Sequence, residues 1–347
     1  MKASCRIAVV GAGLAGRLCA YRLSGAGHQV SVFDRSTSAA PALGEPRAAA
    51  WTSAGMLSPI AEMESGGAEV RDLGRRSLEL WKVIESDLNT QHQSLDLHLN
   101  DSLMICHAQD TGAADRVLRL LKGDSGQVEK LEAGDIRPLA PGLKGTLHAW
   151  RLIGEGHLHP TTALGALHAG SINVDWHWGV AVDQVQSNTL TVDGASLSFD
   201  WLIDARGTGA AADLAVRGVR GEVIVLHAPG FELCRPVRLL HPRWRVYIVP
   251  WPDQRIVIGA TEIESEDLSP ISVQSTMELL SAAFSIFPSL AEARILATDV
   301  NLRPAMPDNL PVVKTSSGLT RINGLFRHGW LLAPAIIERA MTDADLC

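Results

Sequence analysis

The sequence predicts an α/β fold, α+β overall, in which a Rossmann-like nucleotide-binding unit carries an inserted antiparallel sheet. Three observations lead there. An apolar strand runs into a glycine turn and then a helix within the first 25 residues. A second short apolar strand, Trp201 to Ala205, ends in another turn of small residues. Between Gly221 and Thr261 the strand candidates are short, closely spaced and separated by Pro, Gly and Asp, as in antiparallel sheets.

The elements follow in order. Arg6 to Val10 is a short apolar run stopped by Gly11, which reads as a buried parallel strand. Leu14 to Leu23 carries apolar residues at helical spacing, and Gly25 and Gly27 end it. Gln29 to Phe33 is the second strand, completing a βαβ unit. Thr37 to Met56 is a long loop of small residues, and loops of that length within a domain are usually functional. Leu73, Leu78, Leu80, Trp81 and Ile84 give the segment Val70 to Leu88 one apolar helical face. Ala113 to Lys122 is a helix, and Leu97 to His107 alternates as a strand. Thr161 to His168 is helical. Asn173 to Trp178 and Val180 to Gln186 are strands. Gly221 to Ala228, Val237 to Leu240, Arg245 to Pro250 and Arg255 to Thr261 form the antiparallel set. Met277 to Phe287 is a helix, Leu319 to Phe326 a strand, and a last helix starts at about Trp330. No internal repeat or low-complexity linker interrupts the 347 residues.

Composition narrows the function. Hydrophobic residues at 46% fill a real core, and the net charge of −7, with no Lys/Arg run, leaves no electrostatic footprint for nucleic acid. No apolar stretch reaches the roughly 20 residues that span a bilayer. Met1 to Val10 runs into the glycines without a signal-peptide cleavage site. The five cysteines, Cys5, Cys19, Cys106, Cys234 and Cys347, are scattered and form no C-x-x-C. That pattern argues against disulfides or a zinc site and for a cytoplasmic protein.

Gly11-Ala12-Gly13-Leu14-Ala15-Gly16 is G-x-G-x-x-G, a weak signal alone. Here it follows a strand, opens a helix and has Asp34 at the end of the next strand, 18 residues after Gly16. Gly11 makes the tight turn, Gly13 admits a pyrophosphate close to the backbone, and Gly16 lets helix and strand pack closely. The helix N-terminus offers unpaired N–H groups to phosphate. Asp34 accepts from ribose hydroxyls and disfavours a 2′-phosphate. FAD is favoured over NAD because Trp201 to Ala205 runs into Arg206-Gly207-Thr208-Gly209, a second approach to the cofactor that nicotinamide enzymes lack.

Four segments then carry a family resemblance. They are Gly11 to Asp34; Ser53-Ala54-Gly55-Met56-Leu57 with Ala61-Glu62; Tyr247-Ile248-Val249-Pro250 with Ile258-Gly259-Ala260-Thr261; and Leu302-Arg303-Pro304 with the run Arg327 to Pro334. Together they resemble the glycine oxidase/D-amino-acid oxidase flavoproteins, most closely the glycine oxidases of thiamine biosynthesis. The resemblance implies FAD-dependent oxidative deamination of glycine or another small amino acid or amine, with hydride passing to flavin N5. O2 is the expected acceptor, giving H2O2. It implies that Arg303 grips the substrate carboxylate, that Tyr247 adds a hydroxyl to it, and that Arg327 stands near the substrate mouth. A guanidinium fork suits that carboxylate. The cofactor-contacting set is Gly11, Gly13, Leu14, Ala15, Gly16, Asp34, Arg35, Ser53, Ala54, Gly55, Met56, Val180, Gly207, Arg303, His328, Gly329, Trp330 and Leu331. The amides of Gly329 to Leu331 would face flavin N1 and O2 and stabilise the anionic reduced ring. Residues 1–75, 150–212 and 300–347 would form a discontinuous FAD-binding domain, with 76–149 and 213–299 binding substrate.

Two departures bear on the substrate. Glu262 stands where the family has an apolar residue, and a carboxylate there would select against acidic substrates or invite a basic amine. Trp51 replaces a small polar residue of the flavin loop. His157, His159 and His177 lack a third partner at metal-ligand spacing, so no metal is expected. His241 and His328 are candidates for the substrate mouth. Alternatives in view are a dehydrogenase of the same fold with another electron acceptor, a flavoenzyme that modifies a protein, and a flavin-binding protein without catalysis. Assembly as a homo-oligomer is open.

Overall fold

The computed structural model describes residues 4–121, 126–145, 147–241, 243 and 245–347. Two large sheets organise the chain. The first has six strands in the order Val312–Ser316, Leu319–Asn323, Trp201–Asp204, Arg6–Val10, Gln29–Asp34 and Val174–Trp178. All neighbours are parallel except the first pair. The central strand is fully apolar from Ile7 to Val10 and buried, as a strand covered on both faces must be. The helices Leu14–Gly25, Pro160–Gly170 and Gly329–Asp343 share one core cluster with this sheet.

The second sheet has eight strands: Arg294–Ala305, Arg217–His227, Arg255–Gly259, Arg245–Trp251, Val237–Leu240, Ser102–His107, Leu147–Leu152 and Val128–Leu131. It is antiparallel except where Val237–Leu240 meets Ser102–His107. Helix Val273–Ile286 packs on it through Leu279, Ala282, Ala283 and Ile286. The mixed α/β class expected from the sequence is therefore what the chain adopts. No helix among the described residues is long and apolar enough to cross a membrane.

Several boundaries differ from the sequence reading, each for a local reason. The strand expected from Leu97 starts only at Ser102, because Asp96 and Asp101 adopt left-handed backbone conformations (φ 54° and 69°) that break a strand. The strand expected over Val180 to Gln186 shrinks to Gln184–Gln186. Val180 instead gives its N–H to the carbonyl of Asp34, at 2.9 Å. The strand expected to reach Phe326 stops at Asn323, before Gly324 at φ 72°. The helix expected from Met277 begins four residues earlier, where Ser272 Oγ caps the N–H of Ser275. Its counterpart expected over Ala113 to Lys122 spans Thr111–Leu120, and Lys122 lies outside the described residues.

The sequence reading missed the hairpin Thr189–Val192 to Ala195–Ser198. Its signal was present: Asp193-Gly194 both take positive φ (49° and 74°), as a two-residue hairpin turn requires. The edge strand Arg294–Ala305 was missed as well, and it carries Arg303.

Candidate active site

A cavity of about 1230 Å³ runs between the two sheets. It exceeds the roughly 300–1,000 Å³ of common small-molecule sites, as a dinucleotide plus a substrate would require. One end is built by the glycine turn. Gly11, at φ 99°, lies so close to the return turn that a Cβ there would be 2.6 Å from the carbonyl oxygen of Ala205. A Cβ at Gly16 would sit 1.7 Å from the carbonyl oxygen of Gly11. The first helix opens at Gly13 with no side-chain cap and no acid in its first turn. Its leading amides face the cavity unopposed, which suits a phosphate. Asp34 accepts from the N–H groups of Ala12 (2.5 Å) and Ser36 (2.7 Å), which binds the second strand's end to the turn while leaving lone pairs toward the cavity. Arg35 is exposed beside it.

The middle of the cavity is the loop carrying Ser53, Ala54, Gly55 and Met56. Its conformation is fixed from several sides. Trp330 Nε1 donates to Ser53 Oγ (2.7 Å), and Leu158 N–H donates to the carbonyl of Gly55 (3.0 Å). Asn301 Nδ2 donates to Thr52 Oγ1 and to the carbonyl of Arg47, while Arg47 pairs with Asp299. The last helix, Gly329–Asp343, also opens here with no side-chain cap and no acid in its first turn. Two bare helix N-termini and a wall of small residues fit a large, flat, anionic cofactor.

The far end lies on the second sheet. Arg303, Gly221, Gly259 and Tyr247 sit on four adjacent strands. A Cβ at Gly221 would be 2.4 Å from Arg303 Cζ, and one at Gly259 would be 2.8 Å from the Tyr247 hydroxyl. The two glycines thus leave the space that the two large side chains fill. Arg303 donates only to main-chain carbonyls, those of Thr261 (3.0 Å) and Arg220 (3.4 Å), and has no carboxylate partner among the described residues. Burial pulls its pKa down from the usual value despite Tyr247 nearby. Burial also pushes the Tyr247 hydroxyl up, so it stays protonated and can donate.

Arg327 is differently placed. Its Nε and Nη2 face Glu62 (3.2 and 3.4 Å), and its Nη1 donates to Glu262 (2.7 Å). Glu62 also meets Arg238 (3.3 Å) and His328 (3.2 Å). Burial works to raise the Glu62 carboxyl, but Arg327, Arg238 and His328 together hold it well below the usual carboxylate range.

Most residues singled out from the sequence line this one cavity. Gly16 and Val180 do not. Gly16 packs under the turn, and Val180 packs beside the buried cluster of Ala8, Val10 and Phe33. Trp51 also turns away: it is buried in the core, with the Arg17 guanidinium 5.4 Å from its ring centroid. His177 stacks on Phe33 at 4.5 Å, and among the described residues no cluster of His, Cys, Asp and Glu could hold a metal. His328 is on the wall, whereas His241 is not.

Glu155 carried no signal in the sequence. Its fully buried carboxylate accepts from the N–H groups of Ile60 (2.8 Å) and Ala61 (2.9 Å) and from Ser102 Oγ (2.5 Å), and so fixes the backbone just before Glu62. Burial raises its pKa from 4.5 to about 7, those hydrogen bonds opposing. Between these values the folded state holds a proton that the unfolded chain releases. The stabilisation is therefore full below pH 4.5 and is lost as pH rises through 7. Glu155→Gln mimics the protonated form and should remove that loss. Relative to the variant, wild type should lose about 3 kcal/mol of unfolding free energy between pH 4.5 and 8, read by urea denaturation. Parallel pH profiles for the two proteins would contradict this.

A mostly parallel sheet with a glycine turn that suits a phosphate, joined by one cavity to an arginine-bearing, mostly antiparallel sheet, is the arrangement of a dinucleotide-dependent oxidoreductase. Comparison with known proteins gives the family. The profile of the FAD dependent oxidoreductase family, DAO, matches residues 6–341, and the chain belongs to that family. FAD is its cofactor. The chain is 38% identical over 346 residues to a putative thiamine biosynthesis oxidoreductase of Rhizobium etli, covering 97% of each. It is 26% identical to a glycine oxidase of Geobacillus kaustophilus, covering 98% of this chain and 94% of that one. The crystal structure of the G. kaustophilus glycine oxidase superposes with a TM-score of 0.84 at 23% identity, covering 97% of this chain and 95% of the other. That of iminodiacetate oxidase from Chelativorans sp. BNC1 gives 0.82 at 24%, covering 96% and 94%.

Proposed function

We propose that the chain oxidises the amine of glycine or of another small amino acid. One observation carries this reading: Arg303 is a half-buried guanidinium lining the cavity with only carbonyl partners among the described residues, so it lacks the anion that such a partly desolvated charge favours. The names of the R. etli and G. kaustophilus relatives support it and favour a role in thiamine biosynthesis.

The substrate carboxylate docks on the open edge of Arg303 and accepts from the Tyr247 hydroxyl. Glu62, held ionised by three basic neighbours, does not serve as proton acceptor near neutrality. The amine therefore has to arrive unprotonated, and positioning supplies most of the rate. When bound, FAD would supply the hydride acceptor, N5 of its ring, with O2 as the expected terminal oxidant and H2O2 the reduced product. The imine product leaves and hydrolyses to ammonia and a 2-oxo acid. The residues that would hold FAD are Gly11, Gly13, Leu14, Ala15, Asp34 and Arg35 at the nucleotide end, with Gly207 opposite. Ser53 to Met56 and the amides of Gly329, Trp330 and Leu331 would hold the ring, with His328 adjoining. The proposed division is residues 1–75, 150–212 and 300–347 for FAD and 76–149 and 213–299 for substrate. The strand Arg294–Ala305 passes from one to the other, which sets Arg303 at the seam. We assign the protein to the cytoplasm, where its five cysteines, none of them in a disulfide, would stay reduced.

The test is direct. The purified protein should be yellow, and glycine, sarcosine or D-alanine added without oxygen should bleach it, with peroxide formed when air is admitted. No bleaching by any of the three would remove the reading. Fast dye reduction with slow reoxidation by O2 would instead assign the electrons to another acceptor.

A further inference from the structure

We propose that Glu262 is a specificity determinant, whose carboxylate makes the substrate site accept one carboxylate and refuse a second. The proposal rests on the reading that Arg303 binds an amino-acid carboxylate. It goes further by naming the substrate class: amines with a single carboxylate, to the exclusion of dicarboxylates such as iminodiacetate or D-aspartate.

The argument is one of charge pairing around the far end of the cavity. Arg245 is paired with Glu64 at 2.9 Å and Arg243 with Glu278 at 3.3 Å. Arg327 is saturated: two of its nitrogens face Glu62 and the third donates to Glu262. Among the described residues, Arg303 alone of the arginines at this end has only carbonyl partners. This end of the cavity thus presents, among the described residues, one guanidinium open to an anion, Arg35 lining the opposite, nucleotide end. A substrate with a second carboxylate would bring it to a wall where every other cation is already matched, and leave it desolvated without a partner.

Glu262 rather than Glu62 controls this. Glu62 is tied to Arg238 and His328 as well as Arg327, so its loss would dismantle the whole cluster. Glu262 holds Arg327 only, and its side chain is 46% exposed at the cavity rim. Removing its charge would release Arg327 Nη1 toward the cavity and delete the negative charge that a second carboxylate would meet. The fold should tolerate the change, since a half-exposed side chain with one partner contributes little to stability.

The experiment uses the FAD-loaded enzyme and two unreactive acids, acetate and malonate, with dissociation constants read from the perturbed flavin absorption spectrum. Wild type should bind malonate no more tightly than acetate. In Glu262→Gln and Glu262→Ala, malonate should tighten roughly tenfold or more while acetate stays within about twofold. Glu262→Asp should restore the wild-type ratio. The ratio of kcat/KM for iminodiacetate to that for glycine should rise in parallel. An unchanged malonate-to-acetate ratio in both neutral variants would overturn the proposal and leave the Arg303 reading intact. If neither acid perturbs the flavin nor competes with glycine in wild type, the Arg303 reading fails and takes this proposal with it.

Discussion

Replacing Arg303 by alanine is expected to raise KM for glycine by about 30-fold to a few thousand-fold, with a far smaller change in kcat. The range follows from the about 2–5 kcal/mol lost when one partner of a desolvated charge pair is truncated. The asymmetry between KM and kcat follows from where the contact acts. The carboxylate is held alike before and during hydride transfer, so its loss removes uniform binding. Arg303→Lys should recover only part of the affinity, because an ammonium cannot present the planar fork and would not reach the carbonyl of Thr261 in the same geometry. Steady-state kinetics with glycine, alongside flavin absorbance to establish full cofactor occupancy, decides the matter. An unchanged KM in a fully flavin-loaded Arg303→Ala enzyme would put the carboxylate elsewhere.

Strand periodicity does not reveal Arg303. It sits on the strand Arg294–Ala305, whose sequence shows no simple alternation. One reason is a register shift opposite Val225 and Leu226, which puts Leu296 out of the pairing. Another is that its second half is covered by Arg47 to Thr52 rather than by solvent or core. Strand periodicity reports burial on one face, and here both faces change along the strand. Family resemblance, not strand pattern, marks Arg303 in the sequence. The Glu62–Arg327–Glu262 cluster was less legible still: Glu62 and Arg327 lie 265 residues apart, and their meeting depends on how the two sheets pack. Glu155, between Gly154 and Gly156, reads locally as a surface turn, yet it is fully buried.

The nucleotide end behaved differently because its requirements are local. A tight turn with positive φ at Gly11, an unhindered approach at Gly13 and close packing at Gly16 are imposed by backbone geometry within six residues, so they leave a mark in the sequence. Asp34 follows from the length of the helix and strand between. Both that end and the first three elements were therefore readable at nearly their observed limits. Where a function depends on contacts within one βαβ unit, the residues report it. Where it depends on a charge balanced across three segments, only the folded arrangement does.

The strictest consequence concerns Gly16, which touches no substrate and does not line the cavity. Gly16→Ala should yield protein recovered largely without flavin, and less stable than wild type by about 1–3 kcal/mol or more. The added Cβ would lie 1.7 Å from the carbonyl oxygen of Gly11 and 2.9 Å from its carbonyl carbon, both backbone atoms that cannot rotate away. Either the first helix lifts off the strand or the turn opens. Each displaces the amides of Leu14 and Ala15 from the edge of the cavity, and Gly11 is already wedged against Ala205 on its other side. The same atom added at Gly25, in the last turn of that helix, meets nothing within 4 Å, so Gly25→Ala is the matched control and should keep its colour. The ratio of flavin to protein absorbance after purification, and again after incubation with excess FAD, measures the effect. Full occupancy in Gly16→Ala would mean that the diphosphate is not held by the start of this helix, and the cofactor's position along the cavity would have to be sought elsewhere.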